Sequence, residues 1–175
     1  LTHGNGAVST FAYDTEHNCT GVYHAKSDGT AVSRFTYTFA ATNRRASVAA
    51  ADGSRTTWIY DAVNNLRWEE RTGNNAFYVT YTYDSLGDRL TTIDNGTLTT
   101  YTIDGATRLT SQVSANGVRV TYTYDNAGNL TVRNTGGALA TYTYNGENQL
   151  TGVQTSTGTT TLTYDGDGLL RIKQT

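Results

Sequence analysis

The octapeptide Tyr124-Asp125-Asn126-Ala127-Gly128-Asn129-Leu130-Thr131 recurs, in closer and looser copies, along the whole chain. The phrase Thr-Tyr-Thr-Tyr-Asp leads into it at 121–125 and occurs again at 80–84. We take as an anchor the fourth residue of each copy of this phrase, directly before the Asp or its replacement; the anchors are Tyr13, Phe39, Tyr60, Tyr83, Ile103, Tyr124, Tyr144 and Tyr164. They recur about every 20–26 residues, and such a period is typical of a tandem repeat.

The segments that lead into the anchors alternate in polarity. Within 118–124, Val and Tyr alternate with Arg and Thr, and segments 35–39, 77–83 and 138–144 repeat the pattern. A period of two residues predicts β-strands, because successive side chains of a strand point to opposite faces. The segments that follow the anchors alternate less regularly, but we expect strands there too.

A turn is predicted directly after each anchor. The next residue is Asp in six of the eight repeats, and Gly or Asn stands four residues past the anchor in six. An Asp side chain accepts the free N–H groups of a turn, and Gly and Asn tolerate a positive φ. We therefore expect structural roles at Tyr13, Asp14, Tyr60, Asp61, Asn64, Tyr83, Asp84, Gly87, Asp104, Tyr124, Asp125, Gly128, Tyr144, Asn148, Tyr164, Asp165 and Gly168.

A second turn is predicted midway between anchors. Asp-Gly and Asn-Gly dipeptides, which suit a type I′ hairpin turn, occur at 28–29, 52–53, 95–96 and 116–117. Gly73-Asn74, Gly136-Gly137 and Thr157-Gly158 occupy the matching place in other repeats. Two turns in about 20 residues leave room for two strands of ordinary length in each repeat.

Composition excludes several classes of protein. The 175 residues carry a net charge of −2, so no basic excess points to nucleic acid or an anionic membrane. One Cys cannot form an internal disulfide framework. No run of apolar residues approaches the length of a membrane span. Proline is absent, so nothing in the sequence interrupts a long ladder of backbone hydrogen bonds.

The octapeptide at 124–131 and its copies at 83–90, 144–153 and 164–170 resemble the YD repeat, also called the Rhs repeat. The resemblance covers nearly the whole chain and is weaker over residues 1–50. It implies an all-β fold in which tandem hairpins form a continuous curved antiparallel sheet, a segment of a hollow β-shell. Residues 1–175 would form one array of about eight units, as a fragment of a longer shell.

The resemblance also implies a function. Family members are long bacterial proteins, secreted or at the cell surface, with relatives among insecticidal toxin complexes and the animal teneurins. This implies a structural wall that contains or presents a C-terminal toxin or effector, or that mediates cell contact. The implied partners are further repeats of the same shell and an enclosed effector, with no cofactor. The self-cleaving core segment of some members is not visible in this sequence.

The residues that might carry chemistry have simpler explanations. Most of the 15 carboxylates stand in predicted turns, so we expect them to be structural and the chain not to be an enzyme. His17, Cys19 and His24 lack the spacing of a zinc motif, and His3 has no assigned role. We therefore expect neither catalytic residues nor a metal site.

Trp58 and Trp68 are the exception, because they flank the single anchor Tyr60 and stand outside the repeated pattern. Aromatic rings that face solvent stack on sugars, so these two residues are candidates for a local ligand patch. The alternative function is therefore a carbohydrate-binding or adhesion module. The periodic Tyr residues, which alternate with Thr, are instead expected to be buried structural residues.

Overall fold

The computed structural model describes residues 1–174, which form sixteen β-strands and no helix. The strands are β1 Val8–Tyr13, β2 Cys19–Ala25, β3 Ala31–Phe39, β4 Arg45–Ala50, β5 Arg55–Tyr60, β6 Leu66–Thr72, β7 Phe77–Tyr83, β8 Arg89–Asp94, β9 Thr97–Ile103, β10 Leu109–Ser114, β11 Arg119–Tyr124, β12 Leu130–Thr135, β13 Ala138–Tyr144, β14 Leu150–Thr155, β15 Gly158–Tyr164 and β16 Leu170–Gln174. The predicted all-β fold is confirmed. Thr175, the last residue of the predicted array, lies outside the described residues.

The strands form one open antiparallel sheet in which each strand lies beside its neighbours in sequence, in the order β1 to β16. Every connection is therefore a hairpin. The predicted continuous antiparallel sheet of tandem hairpins is confirmed, and it extends through residues 1–50, where the sequence resemblance is weaker.

Each odd-numbered strand ends at one of the eight anchors. The pairing register shifts at the anchor: Thr123 pairs with Val132, whereas Tyr124 pairs with Leu130. Such a bulge accommodates an extra residue and reorients the side chains that follow it. Each sequence period therefore corresponds to two strands and two turns, that is, one hairpin and the corner that joins it to the next.

The chain divides into two compact units, one formed by Leu1–Tyr83 with Thr92–Gly96 and the other by Asp84–Thr91 with the chain from Thr97 onward. In the first unit, Val79 is the only buried hydrophobic residue; in the described part of the second, it is Val120. Ile59, Leu139 and Ile172 are about half exposed. The described residues of neither unit form an apolar core, so the hydrogen bonds between strands are what stabilise the fold.

The prediction of type I′ turns holds at Asn95-Gly96, where φ is 46° and 85°, and is wrong at three other dipeptides. At Asp28-Gly29, Asp52-Gly53 and Asn116-Gly117, only the Gly has a positive φ. The Asp28 side chain accepts the N–H of Thr30 at 2.8 Å, and Gly29 N–H donates to the Lys26 carbonyl at 3.0 Å. The result is a three-residue loop that ends in a left-handed residue, because the Asp side chain stabilises a wider turn.

Candidate functional site

The repeated structural element is the corner, defined here as the five residues that follow an anchor. In corner 125–129, the N–H of Gly128 donates to the Asp125 carbonyl at 3.1 Å. The N–H of Asp125 donates to the Asn129 carbonyl at 3.0 Å. Gly128 has a φ of 89°, which closes the reversal.

The Asp125 side chain completes this corner. Its Oδ1 accepts the N–H of Ala127 at 2.9 Å and that of Asn129 at 2.8 Å. Both donors belong to the loop and would otherwise face solvent or remain unpaired. The same pair of bonds is made by Asp14, Asp61, Asp84, Asp104, Asn145 and Asp165.

All eight corners have a positive φ at their fourth residue, including the two that depart from Gly or Asn. His17 has a φ of 66° and Thr107 a φ of 58°. The remaining six are Asn43, Asn64, Gly87, Gly128, Asn148 and Gly168. The same loop therefore forms at each anchor, even where the sequence does not favour it.

Hydrogen bonding favours the ionised form of the corner carboxylates. The side-chain amide of Asn129, followed by its backbone N–H, holds the pKa of Asp125 below its ordinary value. The backbone N–H of Arg108, followed by its guanidinium, lowers the pKa of Asp104. The pKa is also lowered at Asp14, Asp61 and Asp165. These groups act as charged acceptors rather than as proton donors near neutral pH.

The anchor tyrosines link each corner to the preceding hairpin. The Tyr124 hydroxyl donates to the Leu109 carbonyl at 2.9 Å, and the Tyr144 hydroxyl donates to the Leu130 carbonyl at 3.1 Å. Equivalent bonds join Tyr60 to Arg45, Tyr83 to Leu66 and Tyr164 to Leu150. Burial raises the pKa of Tyr124 and Tyr144, so both hydroxyls remain protonated donors.

The sequence analysis missed the fifth residue of the corner. The Asn129 amide donates to Asp125 Oδ2 at 3.0 Å and to Asn148 Oδ1, in the next corner, at 2.8 Å. The Asn18 amide makes the matching bonds, to Asp14 Oδ2 at 3.1 Å and to Asn43 Oδ1 at 3.4 Å. This side chain therefore fixes its own corner and also contacts the next one.

In two corners the fifth residue is an arginine, which contacts the next repeat through its guanidinium instead of an amide. Arg108 Nε donates to Asp104 Oδ2 at 2.8 Å, and its guanidinium lies 4.9 Å from the centre of the Tyr124 ring. Arg44 lies 5.3 Å from the centre of the Tyr60 ring. The signal was present in the sequence, since this position holds Asn, Gln or Arg in six of eight repeats. Aligning the repeats on their anchors would have revealed it.

The structure does not bring Trp58 and Trp68 together. Trp58 lies opposite Glu69, whereas Trp68 lies opposite Ile59, the residue that follows Trp58. Directly opposed residues share a face and consecutive residues do not. The two indoles are therefore on opposite faces of the sheet and do not form one patch.

The two tryptophans also have different surroundings. Trp58 Nε1 donates to Glu69 Oε2 at 3.1 Å, and the Tyr81 hydroxyl donates to Glu69 Oε1 at 3.0 Å. Trp68 instead packs edge-on against Tyr78, with ring centres 6.0 Å apart and planes at 62°. The Trp68 side chain borders a shallow depression of about 450 Å³ beside Ile59 and Tyr78.

Among residues 1–174, no group of three or more His, Cys, Asp or Glu side chains converges to hold a metal ion. Cys19 is a free thiol whose Sγ donates to the Gly21 carbonyl at 3.4 Å. The described residues contain no helix long and apolar enough to cross a membrane.

These features define a class of protein in which one hairpin, with its corner, is repeated along a single sheet. Residues 104–139 match the family model described as RHS Repeat. No curated protein matches the chain in sequence. The predicted resemblance to the YD or Rhs repeat is confirmed by this match together with the structural neighbours below.

Several solved structures share the fold. The crystal structure of TcdB2-TccC3 has a TM-score of 0.77 at 17% identity, covering 93% of this chain and 11% of that one. A structure of the Photorhabdus luminescens Tc holotoxin pore has a TM-score of 0.68 at 18% identity, covering 97% of this chain and 12% of that one. The crystal structure of TcdB2-TccC3 without its hypervariable C-terminal region has a TM-score of 0.65 at 15% identity, covering 99% of this chain and 14% of that one. This chain thus spans only a small part of the length of these proteins.

Proposed function

We propose that this chain is a structural segment of a longer YD-repeat shell, in a secreted or surface protein of a bacterium, that contains or presents an effector. The repeat match and the likeness to segments of the Tc toxin structures support a structural role. The observation that carries the proposal is the uninterrupted sheet, in which each strand pairs with its neighbours in sequence and each corner closes in the same way.

A sheet of this kind acts as a wall. Neighbouring strands lie about 4.8 Å apart, so a continuous ladder leaves no gap for a protease or an unfolded chain. The chain has no Pro to break that ladder. The exposed apolar side chains on the two faces need a covering, which in this proposal comes from further repeats, a plug or the enclosed effector.

The proposed role is mechanical rather than catalytic. The corner carboxylates that would suit acid–base chemistry are evenly spaced along the sheet, and their oxygens accept hydrogen bonds from loop N–H groups. A catalytic pair requires two carboxylates with different environments in one cleft. Enzymatic activity therefore has no part in the proposed function.

Protease protection of the effector tests containment. The gene is read on both sides of this segment, and the full-length product is purified and treated with a protease. We expect further repeats, and an effector that resists cleavage in the intact protein but not when expressed alone. An effector that is cleaved equally fast in both forms would rule out containment.

The alternative function is adhesion through carbohydrate, and one observation favours it. Tyr78 is 44% exposed beside Trp68 and borders the depression next to Ile59. On this alternative, Tyr78→Ala and Trp68→Ala abolish binding to a glycan array, and Trp58→Ala, on the other face, does not. Absence of glycan binding by the unaltered protein would remove the alternative.

A further inference from the structure

Two of the three histidines of the chain meet at one buried hydroxyl. Ser9 is only 2% exposed. Its Oγ lies 2.8 Å from Nε2 of His3 and 2.8 Å from Nδ1 of His24. Two imidazole nitrogens that are 21 residues apart in sequence therefore point at the same atom.

Backbone pairing holds this arrangement in place. Ser9 in β1 lies directly opposite His24 in β2, so their side chains share a face. The segment before β1 folds back along it, with Thr2 bridged to Val8 and the His3 N–H donating to the Ala7 carbonyl at 2.8 Å. The two rings thus come from two different elements of the fold.

We propose that His3 and His24 form a binding site for a divalent transition-metal cation of the zinc, nickel or copper class, through Nε2 of His3 and Nδ1 of His24. Neutral imidazole is a preferred ligand of these ions, whereas calcium and magnesium require a set of oxygen ligands. The Ser9 hydroxyl is a positioning group: with its one proton it donates to one ring nitrogen and accepts from the other, and the ion replaces both hydrogen bonds when it binds.

The site is an open one. Closed structural zinc sites use four protein ligands, so water fills the remaining positions here and the ion exchanges readily. His3 lies on an exposed segment, so its ring can move off the Ser9 hydroxyl to reach metal–nitrogen distances of about 2.0–2.1 Å. A bound ion would clamp the segment before β1 onto β2 and raise the melting temperature, because it binds the folded state only. This role is independent of the proposed shell function.

Calorimetry with zinc chloride tests the proposal on the full chain. We expect one ion per chain, no measurable binding by His3→Ala or His24→Ala, and unchanged binding by His17→Asn. His17 is the matched control, since it is exposed in the first corner and has a φ of 66°, which Asn tolerates. Zinc should raise the melting temperatures of the unaltered chain and of His17→Asn, but not those of His3→Ala and His24→Ala.

Nitrogen NMR of the imidazole rings gives a second test that needs no variant. Zinc should shift Nε2 of His3 and Nδ1 of His24, the two nitrogens that face Ser9. The proposal is overturned if the unaltered chain does not bind zinc, if either alanine variant binds it equally well, or if the nitrogen that loses its proton to zinc is the opposite one in either ring. Should an alanine variant fail to fold, the ring spectra of the unaltered chain still decide.

Discussion

Corners 125–129 and 40–44 have the same backbone but different side chains. In both, the first residue accepts from the fourth and donates to the fifth, at 3.1 and 3.0 Å in the one and 2.9 and 2.8 Å in the other. The Asp125 side chain adds three hydrogen bonds, and Ala40 has no oxygen with which to add any. The strand ladder and the left-handed fourth residue therefore suffice to form the loop, and the aspartate strengthens it.

The two corners also contact their neighbours differently. In corner 125–129, the Asn129 amide bonds the next corner through Asn148. In corner 40–44, Arg44 stacks on the next anchor, Tyr60. Each corner thus contacts the next repeat, the first through the next corner and the second through the next anchor.

Replacing the left-handed residue should have the largest effect. Gly128→Val should destabilise the protein by about 2 kcal/mol, because a β-branched residue resists a positive φ. A Cβ at Gly128 meets no atom within 4 Å, so the loss would come from backbone strain and not from a clash. Gly105→Val is the matched control, since Gly105 also has open space and its φ is not positive. Equal melting temperatures for the two variants would contradict this account of the corner.

Removing the carboxylate should have a smaller effect. Asp125→Ala gives this corner the same first residue as corner 40–44. The loop should therefore persist, while the melting temperature falls by roughly 2–4 °C. Asn126→Ala, one residue further on and exposed, is the control and should be neutral. Thermal unfolding followed by circular dichroism measures both. A neutral Asp125→Ala would mean that its three side-chain hydrogen bonds contribute nothing to stability.

The reverse exchange should stabilise the protein slightly. Ala40→Asp supplies an acceptor for the N–H groups of Thr42 and Arg44, and it places a carboxylate beside Arg44 as Asp104 lies beside Arg108. We expect a rise in melting temperature of roughly 1–2 °C. Ala41→Asp adds the same charge one residue later and should give no such rise. A rise of equal size in both variants would point to net charge instead.

Low pH should reduce the extra stability that the Asp125 carboxylate gives to corner 125–129. The pKa of Asp125 is lowered in the folded protein, so its contribution to stability is present above the unfolded value of about 3.9. That contribution is lost as the pH falls through the lower folded value. The melting temperatures of the unaltered protein and of Asp125→Ala should therefore converge below about pH 4. A gap that stays constant to pH 2 would exclude the charge as its source.

Much of the fold follows from local patterns in the sequence. Alternation of Tyr and Thr before Tyr124 predicts a strand, and Asp125 with Gly128 predicts where that strand reverses; both features depend on residues close in sequence. The type I′ turn predicted at Asp28-Gly29 was wrong because the dipeptide fits two hairpin geometries. The side-chain bond from Asp28 to the Thr30 N–H favours the wider one.

The period, the strands and the corners can thus be read from the sequence, since each depends on a few consecutive residues. The placement of Trp58 and Trp68 on opposite faces, and the meeting of His3 and His24 at Ser9, are evident only in the folded chain. These relations depend on which residues lie opposite each other in neighbouring strands. A shift of one residue in that register moves a side chain to the other face. Register is set by loops and bulges, so it cannot be deduced from any one strand.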